Sequence, residues 1–120
     1  MKIHQIAPPY IPVNPSIAYG GIERVMYELD KALVNLGHTT SMSATKGSKP
    51  VGQLHETVDP IGYADTRSGS DLDVFFAKLY HMYTSITTAS ACASDVAHIH
   101  DENMLPFAGF INRPTVSTIH

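Results

Sequence analysis

Two adjacent glycines, Gly20 and Gly21, are the residues of this 120-residue chain whose type and position point most directly to ligand chemistry. They directly precede an apolar pattern with helical spacing that begins at Ile22. Because neither glycine carries a Cβ, a ligand can approach the backbone closely. The free N–H groups of the first helical turn, at the positive end of the helix dipole, then favour an anion. The pair predicts a phosphate-binding turn, with a plain tight turn as the alternative.

A second set of residues suited to binding chemistry lies in the last quarter of the chain. Asp101 and Asn103 offer carboxylate and amide groups that suit the hydroxyls of a sugar or polyol. A neutral imidazole, at His100 or His120, can donate a hydrogen bond to a hydroxyl or accept one from it. The alternatives are a solvated turn or a helix N-cap for Asp101, and a histidine bonded only to backbone for His120.

A metal site is the other chemistry that the histidines suggest. His98 and His100 are two positions apart on a predicted strand, so their side chains share one face. Two ligands are too few for a closed zinc site, and no other histidine or cysteine has ligand spacing. We therefore expect no metal, with His98 packed within the layer and His100 better placed to contact a ligand.

The elements that must position these residues alternate between strand and helix. A proline-rich loop over 7–19 separates the first strand from the first helix. This alternation predicts an α/β fold, a Rossmann-like three-layer sandwich with a mostly parallel sheet. Ligands bind such sheets beyond the carboxyl ends of the strands, where the glycine pair, residues 100–103 and His120 are all expected. The predicted strands are 2–6, 39–45, 53–58, 95–100 and 114–120, and the predicted helices are 22–36 and 70–92, with a short helix or irregular turn at 104–111.

Apolar periodicity also predicts which side of each helix is buried. In the first helix, Glu23 and Asp30 are expected on the solvent side. Ser70 with Asp73 resembles a capping box at the start of the second helix. The final strand, 114–120, is expected to be buried. The predicted core face of the first helix is Ile22, Val25, Met26, Leu29, Ala32, Leu33 and Leu36, and that of the second is Leu72, Phe75, Phe76, Leu79, Tyr83 and Ile86.

Composition narrows the class of protein. A net charge of −3 and the lack of a Lys/Arg cluster argue against nucleic-acid binding. A single cysteine excludes an internal disulfide and fits a reducing compartment. The sequence shows no signal peptide and no apolar run of membrane-spanning length, so we expect a cytoplasmic protein. A nicotinamide-dependent oxidoreductase is disfavoured, since a third glycine is missing and the second strand ends in Thr45 and Lys46 without a carboxylate.

Several segments resemble retaining glycosyltransferases of family 4, which have the GT-B fold. The similar segments are 1–13, 19–25, 36–38, 95–101 and 114–120. The resemblance implies two Rossmann-like domains that face each other across a cleft, the first binding the acceptor and the second the nucleotide-sugar donor. Residues 1–120 would then form an N-terminal, acceptor-side domain that is truncated, with the C-terminal donor-binding domain absent.

The same resemblance implies a role for each candidate site residue. Gly20 and Gly21 would approach the donor diphosphate, and His120 would contact the donor sugar near the reacting carbon. His100, Asp101 and Asn103 would lie toward the acceptor. The implied reaction transfers a hexose from a nucleotide sugar, such as a UDP- or GDP-hexose, to a hydroxyl of a saccharide, lipid or small molecule, with retention of configuration. It needs no metal and no cofactor, and we expect the isolated chain to be inactive.

One alternative belongs to a different class of protein. A Rossmann-like module without catalysis could bind a partner, or form a dimer, through apolar surface left exposed by a missing half. Peripheral contact with the inner face of a membrane is also compatible with the sequence. The sequence specifies neither the donor sugar nor the acceptor.

Overall fold

The computed structural model describes residues 1–16, 20–62 and 71–120. Its centre is a parallel sheet of five strands in the order β3-β2-β1-β4-β5. With helices on both faces, it is the predicted Rossmann-like α/β sandwich. The strands are β1 (Lys2–Ile6), β2 (Thr39–Ala44), β3 (Gln53–Glu56), β4 (Val96–Ile99) and β5 (Thr115–Ser117), and the helices are α1 (Gly21–Asn35), α2 (Asp71–Ala91) and a 3₁₀ helix (Glu102–Phe110).

The two long helices cover opposite faces of the sheet. Met42 of β2 and Ile6 of β1 point to opposite faces, because side chains alternate along a strand and the two strands pair in register. Met42 packs in one cluster with Met26 of α1. Ile6 and Ile99 pack in a second cluster with Ala89 of α2. The sheet is therefore the middle layer of three, which is the arrangement of doubly wound folds.

Helix α1 buries two carboxylates that were expected to face solvent. Glu23 and Asp30 are both fully buried, so that expectation is wrong. The Asp30 Oδ2 accepts hydrogen bonds from the backbone N–H groups of Val51, at 2.7 Å, and Gly52, at 3.1 Å. These bonds tie the helix to the loop that precedes β3, and their donors lie too far along the chain for helical periodicity to reveal. Three members of the predicted apolar face are instead exposed, Val25, Ala32 and Leu36.

Helix α2 departs further from expectation, because its predicted core stripe faces outward. The residues that it does bury are small or polar: Val74, His81, Ser85 and Ala89. Of the predicted stripe, only Ile86 is partly buried and packs against the core. The prediction that the aromatic side chains fill the core is therefore wrong. The exposed members of that stripe are Leu72, Phe75, Phe76, Leu79 and Tyr83, which are between 43 and 66% exposed.

His81 explains why α2 turns this side to the sheet. Its Nε2 donates to the carbonyl oxygen of Ala7 at 2.7 Å. Its Nδ1 lies 2.7 Å from the Thr57 hydroxyl and accepts from it, since Nε2 carries the proton. Burial lowers the pKa of His81 to about 4, so the imidazole is neutral. The helix is held by two hydrogen bonds to buried polar groups as well as by apolar contact.

The last strand is short and open to solvent. The segment 114–120 was expected to be a buried strand, but β5 comprises only Thr115–Ser117, and its Val116 is 53% exposed. β5 is the outermost strand at one edge of the described sheet. Helix α1 packs over β2 and β3, which lie toward the opposite edge. The proposed capping box at Ser70 lies outside the described residues, as does Tyr19 of the glycine motif.

Candidate functional site

The candidate site lies where the strand order reverses. β1 has β2 on one side and β4 on the other, so the chain segments that follow β1 and β4 run apart at the carboxyl edge. Crevices at this switch point are where open α/β sheets bind ligands. Gly20 and Gly21 end the loop that follows β1, residues 100–103 follow β4, and His120 follows β5. All of the predicted site residues therefore belong to segments that begin at this one edge.

The two glycines occupy different surroundings. Gly20 has the left-handed backbone conformation, with φ of 114°, which only glycine adopts readily. A Cβ there would collide with the side chain of Ile11 and approach the Glu23 carboxylate to 3.0 Å. Among residues 1–16, 20–62 and 71–120, no atom lies within 4 Å of a Cβ built on Gly21. Gly20 is thus required by the turn itself, whereas Gly21 opens the helix N-terminus to space that a ligand could fill.

A carboxylate stands close to that N-terminus. Glu23 lies in the first turn of α1 and is fully buried, with its Oε2 beside Gly20. A negative charge in the first turn is stabilised by the positive end of the helix dipole. An anionic ligand at Gly21 would therefore share this region with a carboxylate of the protein. The sequence shows Glu23 within the motif but gives no sign that its side chain is buried.

The structure brings two of the predicted histidines together. His100 Nδ1 lies 3.1 Å from His120 Nε2, and His100 Nε2 lies 2.9 Å from the Gln5 side-chain oxygen. The rings of His98 and His100 are 4.0 Å apart, as expected for side chains on one face of a strand. His100 is buried and His120 is exposed. Burial, and to a smaller extent electrostatic repulsion from the neighbouring His98 and His120, lowers the pKa of His100 to about 3.

With both imidazoles neutral and the Gln5 oxygen facing His100, the position of each proton follows from these hydrogen bonds. If His100 donates from Nε2 to Gln5, its Nδ1 accepts from the Nε2–H of His120. The second ring nitrogen of His120, Nδ1, is then a lone-pair acceptor that can receive a hydrogen bond from a hydroxyl. Sequence reasoning missed Gln5. Gln5 follows His4 in the first strand and gives no apolar pattern to mark it, although the structure shows it to be fully buried.

Asp101 caps the 3₁₀ helix, which was one of the two alternatives to its predicted role in hydroxyl binding. Its Oδ1 accepts from the backbone N–H of Asn103 at 3.1 Å. The Asn103 amide donates to the hydroxyl of Tyr10 at 3.3 Å, and the Lys78 ammonium lies 5.5 Å from the centre of the Tyr10 ring. Burial raises the pKa of Asp101, opposed by the Asn103 N–H and the charge of Lys78. These residues form a small polar cluster between the loop after β1 and the loop after β4.

A groove of about 400 Å³ adjoins this polar cluster. Most of its wall is apolar and comes from α2 and the 3₁₀ helix. Asp101 and Asn103 contribute polar groups to the remaining wall. Sequence reasoning missed the groove, because it assigned the aromatic residues of α2 to the core. The apolar wall includes Phe75, Leu79, Met82 and Phe107.

Two further observations concern metals and membranes. Across residues 1–16, 20–62 and 71–120, no three His, Cys, Asp or Glu side chains converge in a way that could hold a metal ion. The helices within these ranges are all too short or too polar to cross a lipid bilayer.

Comparison with known proteins assigns no family to the chain. It matches no model of a known protein family, and no curated protein is significantly similar to it. Its function must therefore be argued from its residues and their geometry.

Proposed function

We propose that the chain is the N-terminal, acceptor-side domain of a retaining glycosyltransferase of the GT-B type, family 4. The complete enzyme would transfer a hexose from a nucleotide sugar to an acceptor hydroxyl in the cytoplasm. The observation that carries the proposal is the open helix N-terminus at Gly21, on the same sheet edge as the His100–His120 pair. One feature suits a diphosphate, the other a sugar hydroxyl.

In this proposal each group has a defined task. The amides at Gly20 and Gly21 stabilise the diphosphate as it leaves. The bond between the anomeric carbon and the phosphate oxygen breaks, a bond to the acceptor oxygen forms on the same face, and the acceptor proton passes to the leaving phosphate oxygen. His120 binds a hydroxyl of the donor sugar through Nδ1, held in orientation by its bond to His100.

The proposal also explains why the isolated chain should be inactive. A diphosphate carries more negative charge than the partial positive charge of one helix N-terminus offsets. In this proposal, productive donor binding therefore needs cationic groups, which a second, donor-binding domain would supply. We expect this chain alone to bind UDP weakly and to show no turnover of UDP- or GDP-hexose. Sugar transfer by the isolated chain would contradict this assignment of domains.

Gly21→Val tests the diphosphate site. No described residue would crowd a Cβ at Gly21, so the variant should fold normally while its isopropyl group blocks the amides. Gly109→Val is a matched control, because a Cβ at Gly109 also meets open space. In an NMR titration with UDP, we expect the amide shifts near α1 to disappear in Gly21→Val and to persist in Gly109→Val. UDP-induced shifts of wild-type size in Gly21→Val would refute the proposed contact.

His120→Ala tests the sugar contact. His120 is exposed, but its removal takes away the partner of the buried His100 Nδ1, so the free energy of unfolding should fall by only about 1 kcal/mol. In the complete enzyme, we expect a loss of kcat of at least about tenfold, as is typical when one positioned polar group is removed. The two measurements are the transfer rate and the urea midpoint. A variant that loses activity only because it unfolds would show that His120 has a structural role instead.

A second candidate function is a non-catalytic interaction module. The observation that favours it is the exposed apolar surface of α2, including Phe76 and Tyr83. Sedimentation of the chain with and without UDP distinguishes the two candidate functions. A dimer whose sedimentation is unchanged by UDP supports the interaction module, whereas a monomer that binds UDP supports the transferase.

A further inference from the structure

The groove beside the 3₁₀ helix has the size and lining of a small-molecule site. Its volume of about 400 Å³ lies within the range of known ligand pockets, roughly 300–1,000 Å³. Phe75, Leu79 and Phe107 line it, and each remains at least 40% exposed to solvent. When an apolar group displaces water from such a concave apolar surface, the free energy falls.

The polar side chains of the groove are held in place by hydrogen bonds. Asp101 is buried and fixed by its bond from the Asn103 N–H, and the Asn103 amide is held by Tyr10. Lys78 also lines the groove and lies over the Tyr10 ring. Side chains held by one another in this way can bind a ligand without a large loss of conformational freedom.

The charges of this polar part select for a neutral ligand head. Asp101 brings a carboxylate and Lys78 an ammonium, and the two attract each other. A carboxylate-headed ligand would be attracted by Lys78 but repelled by Asp101, and an ammonium-headed ligand would meet the reverse, so neither charge gains a clear net attraction. A head with hydroxyl groups can donate to Asp101 and accept from Asn103 or Lys78 without either penalty.

The polar end of the groove and the candidate site lie at the same carboxyl edge of the sheet. The groove itself lies on the face that α2 covers, opposite the face that carries the His100 side chain. Asp101 directly follows His100, whose imidazole bonds His120 at the same sheet edge. Pro9, from the loop that leads to the glycine pair, lines the groove as well. A ligand with its apolar part between α2 and the 3₁₀ helix would therefore present its polar head to the edge where the loops after β1 and β4 meet.

We propose that this groove holds the apolar tail of a neutral, hydroxyl-headed amphiphile, and that this amphiphile is the sugar acceptor. The second clause rests on the proposed glycosyltransferase function. It narrows the acceptor to a class of molecule, an alcohol or sugar that carries an acyl or aryl chain, and makes free saccharides poor acceptors.

The test is a binding titration of the chain with n-octyl β-D-glucopyranoside below its micelle concentration, followed by NMR. Methyl β-D-glucopyranoside has the same head without the tail, and octanoate has a similar tail with a charged head. We expect the octyl glucoside to shift the signals of Leu79, Met82 and Phe107 and to bind at least tenfold more tightly than either control. Equal binding of the methyl glucoside, or of octanoate, would overturn the proposal.

Matched variants of α2 distinguish binding in the groove from non-specific adsorption to the exposed apolar surface of the helix. Leu79→Arg places a charge in the groove, whereas Tyr83→Arg places the same charge one turn further along the exposed side, outside it. We expect Leu79→Arg to weaken octyl glucoside binding at least tenfold and Tyr83→Arg to change it less than twofold. Phe75→Gln is a second groove variant, with the same expected loss. Equal losses in Leu79→Arg and Tyr83→Arg would show adsorption to the helix surface and overturn the proposal.

The outcomes also separate the groove from the proposed function. UDP binding that depends on Gly21, without octyl glucoside binding, overturns the groove and leaves the transferase proposal in place. Octyl glucoside binding that depends on Leu79, without any UDP binding, overturns the transferase proposal and the acceptor role, while it supports the groove as an amphiphile site.

Discussion

Helix α1 turns two carboxylates, Glu23 and Asp30, toward the interior, whereas α2 turns a row of aromatic and aliphatic side chains toward solvent. Both helices have a clear apolar periodicity in the sequence. The difference teaches that periodicity identifies a helix but does not by itself decide which side is buried. In α1 the decision depends on backbone N–H groups of a distant loop, and in α2 on His81, which bonds buried polar groups.

The largest expected effect contrasts one residue of each helix. Met26 of α1 is fully buried, so Met26→Ala should lower the free energy of unfolding by about 2–5 kcal/mol through lost contacts and a cavity. Tyr83 of α2 is 66% exposed, so Tyr83→Ala should change it by no more than about 0.5 kcal/mol. Urea unfolding measures both. A large loss in Tyr83→Ala would show that the outer side of α2 is packed in solution.

The next effect concerns the buried carboxylate of α1. Asp30→Ala leaves the N–H groups of Val51 and Gly52 without their acceptor, and we expect a loss of about 1.5–3 kcal/mol. Glu28→Ala, on the exposed side of the same helix, is the control and should stay within about 0.5 kcal/mol. If both variants unfold at the wild-type urea concentration, the bonds to Asp30 contribute no net stability.

The smallest expected effect is a dependence of stability on pH that originates in α2. His81 is neutral in the folded chain, with a pKa lowered to about 4 from 6.5. Below pH 6.5 the unfolded chain takes up a proton that the folded chain does not, so stability falls as the pH falls toward 4. At pH 5, His81 alone should account for about 2 kcal/mol.

The comparison for this prediction is His81→Gln, measured by urea unfolding at pH 7 and pH 5. The variant should lose less stability between the two pH values than the wild type, by about the share of His81. Some acid loss should remain, because His4, with a pKa lowered to about 4 by burial and by His55, acts in the same direction. An identical acid loss in both proteins would mean that His81 is not neutral and buried in solution.

The sequence predicted the elements closely because their signals are local. Helix α1 was predicted at 22–36 and occupies Gly21–Asn35, since the glycine pair begins it and Gly37, with φ of 93°, follows its end. Burial was predicted less well, because it depends on partners far along the chain. The buried state of Asp30 is decided by Val51 and Gly52, about twenty positions away, and no helical pattern contains that information.

In the candidate site, too, the sequence predicts the position of the residues along the sheet but not their contacts. Placing His100 and His120 at one sheet edge required only the strand order of a parallel sheet, which the alternation of elements predicts. Their contact at 3.1 Å required the register of β4 against β5 and a partner, Gln5, from the central strand. The groove could not be predicted, because it exists only where the apolar side of α2 is left uncovered.

The position of β1 has a consequence for how the chain folds during synthesis. β1 precedes the other four strands in the sequence, yet it lies at the centre of the sheet and pairs with β4 as well as β2. The backbone N–H of Lys2 bonds the Asp95 carboxylate, 93 positions later. Closing so long a loop is entropically unfavourable and slows folding. On the ribosome, one edge of β1 therefore stays unpaired until β4 has emerged, and during this period the strand can pair wrongly with other segments.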